Sequence, residues 1–300
     1  MLFYKTTNQV IYNDDNLEVL RSLEDGSINL IYCDILYNTG KKFDDYNDNL
    51  GLPKEAIEWY RPRIKEMRRV LTENGSIFIH CNWRLDSYMR ILMDEIFGCE
   101  CFRNRIHRQH SGMRGFYSNF DSQMDLILYY VKNPKNFVFN EVYSDKTIIV
   151  PLFENGLLEG RGDVRYLDGV AIDVAAKGKH WIVYPEQFQR MAESGEVRII
   201  DGLPYRFSNI VPVGNVWNEK EMWDDYSRTD KAEAYDTPKP EAVLERIIRT
   251  CSNKGDVVAD FFLGGGTTAV VAKKMGRKFI GCDISKKACE VTVRKLENQG

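Results

Sequence analysis

The sequence has 300 residues, of which 43% are hydrophobic and 28% are charged, so its composition excludes a disordered chain and allows a substantial core. The formal net charge of -3 excludes a uniformly basic protein but allows one basic face that binds a polyanion. Seven cysteines without regular spacing favour reduced thiols, and no apolar run reaches the length of a membrane span. We therefore expect a cytoplasmic protein with no metal site and no membrane association.

Strands and helices alternate over residues 1–132, a pattern typical of a layered α/β sheet. Asn16 is the expected cap of the first helix, and the second helix is expected to begin at Pro53 and to stop at Asn74 and Gly75. The strands are predicted at residues 9–13, 28–34, 76–80, 102–108 and 125–131, and the other helices at residues 17–23 and 85–96.

The composition and hydrophobic pattern change over residues 133–235, where Gly and Pro are scattered and no long helical pattern is present. This segment is predicted to be an inserted domain of short strands and loops, with one helix near residues 185–193. The α/β pattern then resumes over residues 236–300. Its predicted elements are helices at residues 240–251, 267–275 and 285–296, and strands at residues 256–260 and 278–282.

Basic residues concentrate in two stretches. Residues 61–69 hold five Lys or Arg residues at helical spacing, which is typical of a solvated helix face. In the second stretch we expect the arginines to contact the phosphates of a polyanion. These are Arg103, Arg105, Arg108 and Arg114.

Two stretches carry the candidate chemistry. The first, which we call the DILY segment (residues 34–37), follows an apolar run and is predicted to lie at the end of a buried strand. In an open parallel sheet, ligands bind outside the carboxyl ends of the strands, so Asp34 and Tyr37 are predicted to face a crevice. Taken singly, Asp34 is more typical of a helix or turn cap at a strand end, and Tyr37 of ordinary core packing.

The second stretch is a strand, a glycine-rich turn and a helix over residues 256–275, which is the arrangement that brings backbone close to a nucleotide. Asp283 ends the following strand, where a carboxylate can bind both ribose hydroxyls. The run Gly264-Gly265-Gly266-Thr267 matches neither the dinucleotide fingerprint nor a P-loop. A nucleoside without a polyphosphate is therefore indicated, and S-adenosylmethionine fits. A plain tight turn is the alternative for the glycine run alone.

These stretches together resemble a known family. Asp34-Ile35-Leu36-Tyr37 is similar to the Asp-Pro-Pro-Tyr catalytic motif of amino-group DNA methyltransferases, and residues 260–268 are similar to their cofactor motif. The catalytic motif comes first and the long insert follows, which is the order of the β group. Residues 237–241 resemble the segment ahead of the cofactor strand, and residues 38–40 resemble the modification subunits of type III restriction systems and their solitary relatives.

The resemblance implies a circularly permuted, Rossmann-like S-adenosylmethionine-dependent methyltransferase fold with a mixed seven-stranded sheet. Residues 1–132 would form its catalytic half, residues 133–235 an inserted target recognition domain, and residues 236–300 its cofactor-binding half. The implied catalytic residues are Asp34, Ile35 and Tyr37. The implied cofactor-binding residues are Asp34, Thr237, Lys239, Asp260, Phe261, Gly264, Gly266, Thr267, Thr268 and Asp283.

The implied reaction is transfer of a methyl group to adenine N6 at specific sites in double-stranded DNA, with the base flipped out of the duplex. A homodimer and a restriction subunit are the partners that the resemblance allows. Four alternatives stay open: a cytosine-N4 enzyme, an enzyme acting on RNA, one acting on a small amine, and a catalytically impaired DNA-binding homologue. The last is suggested by Ile35 and Leu36, which stand where the family has two prolines. No Pro-Cys pair is present, which argues against methylation of cytosine carbon 5.

Overall fold

The computed structural model describes residues 1–42, 48–109, 123–144, 148–208, 211–222 and 239–298. The chain divides into two compact units. The sheet unit comprises Met1–Asn140 and Gly214–Gly300, and the inserted unit comprises Glu141–Val213. No helix in the described ranges is long and apolar enough to cross a membrane.

The first part of the sheet unit alternates strands and helices, as its hydrophobic pattern predicts. Its strands are β1 (Leu2–Lys5), β2 (Gln9–Asn13), β3 (Ile28–Asp34), β4 (Leu71–Cys81), β5 (Phe102–Gln109) and β6 (Met124–Val131). Its helices are α1 (Asn16–Ser22), α2 (Pro53–Val70) and α3 (Asp86–Phe97), with a 3-10 turn at Cys99–Cys101.

The inserted unit consists of short antiparallel strands and one helix, α4 (Pro185–Glu193), whose bounds match the prediction. Its strands are β7 (Tyr143–Ser144), β8 (Ile148–Pro151), β9 (Phe153–Asn155), β10 (Arg165–Leu167), β11 (Val170–Ile172), β12 (Lys179–Trp181), β13 (Val197–Ile200), β14 (Leu203–Ser208) and β15 (Val211–Pro212), with a 3-10 turn at Ala175–Lys177. Trp181 and Phe188 are buried at the centre of its own small core.

The chain then returns to the sheet unit. Its remaining strands are β16 (Val216–Trp217), β17 (Val257–Asp260) and β18 (Lys278–Asp283). Its remaining helices are α5 (Glu241–Cys251), α6 (Thr267–Lys274) and α7 (Lys286–Glu297), with a 3-10 turn at Lys220–Met222.

The described strands of this unit form a nine-stranded sheet in the order β1-β2-β18-β17-β3-β4-β6-β5-β16. Strands β2, β18, β17, β3 and β4 run parallel, whereas β6 is antiparallel to both of its neighbours. The mixed sheet is therefore as predicted, but seven strands is too few. The prediction missed β1 and β16, two short strands that extend the sheet at its two edges.

The point where the strand order reverses lies between β17 and β3. From β17 the chain proceeds to β18 on one side, and from β3 it proceeds to β4 on the other. Val258 pairs with Leu30 and Ala259 with Ile31, so the two strands end side by side. Ligands bind at such reversal points in open α/β sheets. The fold thus places Asp34 and Asp260 at the edge where a site is expected.

Three predicted details are corrected by the structure. The cap of α1 is Asp15, whose side chain accepts from the Leu17 amide, and not Asn16. Helix α2 ends at Val70 and not at Asn74, because Leu71 already pairs with Ile28 in the sheet. The inserted unit is narrower than residues 133–235, since β16 pairs with β5 in the main sheet and residues 223–235 lie outside the described residues.

Candidate active site

A cavity of about 580 Å³ lies at the carboxyl ends of β3, β17 and β18. This volume falls in the range of ligand-binding pockets, roughly 300–1,000 Å³. Asp34, Asp260 and Asp283 line it, one from the end of each strand, together with Lys239. The catalytic and cofactor stretches of the sequence therefore meet in one cavity.

The Asp34 carboxylate is held by three neighbours. Tyr37 donates its hydroxyl hydrogen to Asp34 Oδ1 over 2.8 Å, and Lys239 Nζ lies 3.3 Å from Asp34 Oδ2. On the inner side, His80 Nδ1 lies 3.8 Å from Asp34 Oδ1. Burial and the adjacent Asp34 charge raise the pKa of Tyr37 well above its usual value, so its hydroxyl stays protonated and continues to donate.

Behind Asp34, four adjacent strands each contribute one titratable side chain to a buried row. The row runs from Asp34 on β3 through His80 on β4 and Asp125 on β6 to Arg108 on β5. His80 Nε2 lies 3.4 Å from Asp125 Oδ2, and Arg108 Nη1 donates to the same oxygen over 3.0 Å. We call these four residues the charge row.

Burial sets the protonation of the charge row. Desolvation lowers the pKa of His80 from its usual value, which favours the neutral imidazole. Burial alone would raise the pKa of Asp125, but the adjacent imidazole of His80 and the charges of Lys239 and Arg108 hold that pKa below its usual range. The Asp125 carboxylate therefore remains ionised next to Arg108.

The structure corrects the predicted phosphate contact of Arg108. Its side chain is 0% exposed, and it also donates from Nε to the Met222 carbonyl over 2.9 Å. Arg108 is thus a structural partner of Asp125 inside the sheet. Arg103 and Arg105 are half-buried on the same strand, and Arg105 lies 3.4 Å from Asp86 Oδ2. Arg114 lies outside the described residues.

Two hydrogen bonds to the Asp260 carboxyl group hold the glycine turn between β17 and α6 in place. Asp260 Oδ1 accepts from the Phe262 amide over 3.0 Å, and its Oδ2 accepts from the Thr268 hydroxyl over 2.6 Å. Asp260 is only 2% exposed, and burial raises the pKa of this carboxyl to about 7 despite both hydrogen bonds. Asp260 and Thr268 therefore shape the turn as well as line the cavity.

Asp283 reaches the same turn from β18. Its Oδ2 accepts from the Gly264 amide over 2.8 Å, and its Oδ1 accepts from the Ser285 amide over 2.8 Å. Gly266 has a φ of 74°, and a Cβ there would lie 2.2 Å from the Thr292 hydroxyl oxygen. Gly266 is absent from the cavity wall, so close packing against α7 explains the need for glycine at this position.

The other described residues predicted for catalysis or cofactor binding all line the cavity. They are Asp34, Ile35, Tyr37, Lys239, Asp260, Phe261, Gly264, Thr267, Thr268 and Asp283. Thr237 lies outside the described residues.

Sequence reasoning missed the opposite wall of the cavity, formed by Asp15, Asn16 and Trp59. Arg63 holds these residues together: it donates to Asn16 Oδ1 over 2.7 Å and to Asp15 Oδ2 over 2.8 Å, and its guanidinium lies 3.5 Å from the Trp59 ring centroid. Arg63 is only 5% exposed, so the predicted solvated face is wrong for this arginine. Its position on the same helical stripe as Trp59 and Tyr60 was the available signal.

Ile284 is a second residue that sequence reasoning missed. It directly follows Asp283, lines the cavity and is 59% exposed. Ligand pockets are lined predominantly by apolar side chains, so Ile284 offers a ligand in this cavity an apolar contact. The signal in the sequence was an apolar residue immediately after the acidic end of a strand.

The chain matches the model of a protein family described as DNA methylase over residues 28–294. That span includes both strands of the reversal point and every residue of the charge row. The chain belongs to the DNA methylase family.

Curated relatives agree with this family. The chain is 28% identical to "Type II methyltransferase M.EcaI" of Enterobacter cloacae over 96% of its own length and 69% of that protein. It is 28% identical to "DNA adenine methyltransferase YhdJ" of Escherichia coli over 96% of its length and 83% of that protein. It is 26% identical to the StyLTI Mod subunit of Salmonella typhimurium, a type III restriction-modification enzyme, over 97% of its length and 54% of that protein.

Solved structures share the fold. The complex of M1.HpyAVI with SAM superposes with a TM-score of 0.51 at 19% identity, covering 96% of this chain and all of that one. The cytosine-N4-specific PvuII DNA methyltransferase superposes with a TM-score of 0.57 at 14% identity, covering 98% of this chain and 94% of that one. The predicted methyltransferase fold is confirmed. Members of the DNA methylase family use S-adenosylmethionine, so the predicted cofactor is confirmed as well.

The raised pKa of Asp260 predicts a pH-dependent stability. Between its unfolded pKa near 3.8 and its folded pKa of about 7, the folded methylase retains a proton that the unfolded chain loses. The resulting stability is present below about pH 4 and is lost as the pH rises to about 7. We expect the free energy of unfolding of the wild type to fall relative to Asp260→Asn across this window, by up to about 4 kcal/mol.

Urea unfolding at several pH values measures this difference. Asp173→Asn, on an exposed turn of the inserted unit, is the matched control and should show a difference that hardly changes with pH. A pH-independent gap between the wild type and Asp260→Asn would contradict the assignment.

The burial of Arg108 predicts a large structural effect. Arg108→Met leaves the Asp125 carboxylate without its guanidinium partner, and we expect a loss of about 3–5 kcal/mol in the free energy of unfolding. Arg21→Met removes an exposed ion pair with Glu18 and should cost less than about 1 kcal/mol. Denaturant unfolding compares the two variants, and equal losses would show that the charge row does not depend on Arg108.

Proposed function

We propose that the protein methylates the exocyclic N6 amine of adenine at specific sites in double-stranded DNA, with the target base flipped into the cavity. The observation that carries this proposal is the placement of Asp34 and Asp260 at the ends of two adjacent parallel strands, in one cavity. A hydrogen-bond acceptor for the amine and the cofactor half of the site are thus next to each other.

The cavity fits the cofactor by its charge and its polar groups. S-adenosylmethionine supplies an electrophilic methyl group on a positively charged sulfur. Asp34, Asp260 and Asp283 give the cavity wall three carboxyl groups, which suits a cation. Asp283 lies at the strand end where a ribose would be bound, and the exposed side chain of Ile284 offers an apolar face for a purine ring.

The catalytic problem is the low nucleophilicity of an exocyclic amine, whose lone pair is delocalised into the ring. In the proposed reaction, Asp34 accepts one amine hydrogen and the Ile35 carbonyl accepts the other. These two bonds favour a pyramidal nitrogen with its lone pair directed at the methyl group. Tyr37 stacks on the base and recovers part of the stacking that is lost when the base leaves the duplex.

The proton follows the methyl group. The methylated nitrogen carries a positive charge and becomes much more acidic, so Asp34 can receive the proton without being a strong base. Lys239, 3.3 Å from Asp34 Oδ2, and Tyr37, which donates to Oδ1, hold the carboxylate in place for both steps.

DNA binding is assigned to two regions. The inserted unit is proposed to be the target recognition domain, because it is compact by itself and exposes several large apolar side chains, including Tyr166 and Tyr184. Arg103 and Arg105 are proposed to contact phosphates, whereas Arg108 is not. A homodimer and a restriction subunit remain predictions from the resemblance.

Adenine is preferred over cytosine because a curated relative that spans most of the chain is named an adenine methyltransferase, and because the Asp-initiated motif resembles adenine enzymes. Methylation of cytosine N4 is the second candidate, since a cytosine-N4-specific enzyme shares the fold.

Product analysis distinguishes the two candidates. Purified protein is incubated with labelled S-adenosylmethionine and unmethylated genomic DNA, and the DNA is digested to nucleosides and separated by chromatography. We expect the label in N6-methyl-2'-deoxyadenosine. Label in N4-methyl-2'-deoxycytidine would show that the protein methylates cytosine N4 instead. If the protein binds the cofactor but labels neither nucleoside, both candidates are refuted. Parallel reactions with RNA test that alternative substrate.

Removal of the proposed acceptor should separate chemistry from cofactor binding. We expect Asp34→Ala to reduce methyl transfer at least about 1,000-fold, because one of the two acceptors that activate the amine is lost. The dissociation constant for S-adenosylmethionine, measured by calorimetry, should change much less. The control is Asp173→Ala, because Asp173 lies on an exposed turn of the inserted unit. Asp48 is unsuitable as a control, because its side chain accepts from the Asn38 amide next to the DILY segment. Transfer that survives Asp34→Ala would refute the site.

A further inference from the structure

The DILY segment has no proline at either position where the resembling motif has two. A proline fixes its own φ, and it confines the residue before it to extended conformations. Those limits preset the carbonyl that accepts from the target amine. Ile35 and Leu36 impose neither limit, so the sequence alone leaves the direction of the Ile35 carbonyl undefined.

The structure shows hydrogen bonds on both sides of that carbonyl. The Ile35 amide donates to the His80 carbonyl of β4 over 3.2 Å, a bond that a proline at this position cannot make. The Tyr60 hydroxyl donates to the Leu36 carbonyl over 2.9 Å. The Ile35 carbonyl belongs to the peptide between these two anchored groups, so its direction is restricted from both ends.

Tyr60 is itself held firmly. It lies on α2 and is 0% exposed, and its ring packs edge-on against Trp59 at a centroid distance of 4.9 Å. The ring of Phe262, from the glycine turn, lies 6.2 Å away. A hydroxyl on a rigid ring is a precise anchor, because few torsions remain free.

We propose that Tyr60 is a positioning residue that substitutes for the missing prolines. Its hydroxyl fixes the Leu36 carbonyl and, together with the Ile35 amide bond to β4, directs the Ile35 carbonyl towards the target amine. This inference rests on the proposed function of Asp34 and Ile35. If Tyr60 positions the Ile35 carbonyl in this way, the DILY segment is a catalytically active variant of the motif, and the alternative of a catalytically impaired homologue is rejected.

The first test is Tyr60→Phe, which removes only the hydroxyl. We expect kcat for methyl transfer to DNA to fall by about tenfold or more, because small misplacements of a reacting group have large effects on rate. The KM and the dissociation constant for S-adenosylmethionine should stay within about twofold. Tyr130→Phe is the matched control: Tyr130 is also 0% exposed and donates its hydroxyl to Asp94, away from the DILY segment.

The second test is rescue by a proline. Among the described non-glycine residues only Asn38, Asp168 and Asp201 have positive φ, so φ of Leu36 has the same sign as that of a proline. Leu36→Pro would restrict Ile35 directly and make the Tyr60 anchor redundant. We expect Tyr60→Phe to lower kcat less than about twofold in the Leu36→Pro background, against about tenfold in the wild-type background. An equal loss in both backgrounds, or no loss in either, overturns the proposal.

Amide hydrogen exchange provides a readout that needs no activity. Tyr60→Phe should speed exchange in the peptide that spans residues 34–39, whereas Tyr130→Phe should leave it unchanged. Adding Leu36→Pro to Tyr60→Phe should slow the exchange again. If the wild-type protein binds S-adenosylmethionine but transfers no methyl group to any nucleic acid, the proposed function fails, and the exchange pattern alone decides whether Tyr60 positions the segment. Unchanged exchange in Tyr60→Phe overturns that assignment.

Discussion

The parallel pairing of β3 with β17 is the constraint on which the rest of the site depends. These strands come from opposite ends of the chain, yet they lie side by side at the point where the strand order reverses. Two carboxyl groups, Asp34 and Asp260, consequently stand next to each other at the same edge of the sheet. Burial raises the pKa of Asp260, and the charge of Asp34 adds to that rise, so a carboxyl group that can ionise lies where we propose that the cationic cofactor binds.

The charge row extends this edge into the interior. A buried charge is strongly destabilising unless it is paired, and here each member has an opposite or neutral partner on the next strand. The Asp34 carboxylate therefore lies at the end of a buried polar row that spans four strands of the sheet. Tyr60 and the backbone of β4 add the corresponding support for the peptide that follows Asp34.

Local sequence patterns were sufficient to predict most of the fold and one side of the site. Apolar runs, a strand-glycine-helix unit and acidic strand ends are short-range signals, and they correctly placed Asp34, Asp260 and Asp283 at one edge. The remainder depends on long-range pairing. Arg108 looks like a DNA contact in a basic stretch, and only its register opposite Asp125 shows that it is buried. Arg63 likewise lies in a run of surface cations, but its helical phase brings it into contact with Asp15, Asn16 and Trp59, which line the cavity.

The position of β17 and β18 in the sheet has a consequence for biosynthesis. Both strands lie between β2 and β3, although they follow every other described strand of the sheet in the sequence. In a nascent chain that has emerged only as far as the inserted unit, β2 and β3 each lack one neighbouring strand, and Asp34 pairs with β4 alone. Open strand edges invite pairing with other chains, so we expect the partly synthesised protein to aggregate more readily than the folded one. The cavity wall formed by Asp34, Asp260 and Asp283 is therefore complete only after β17 and β18 have been translated.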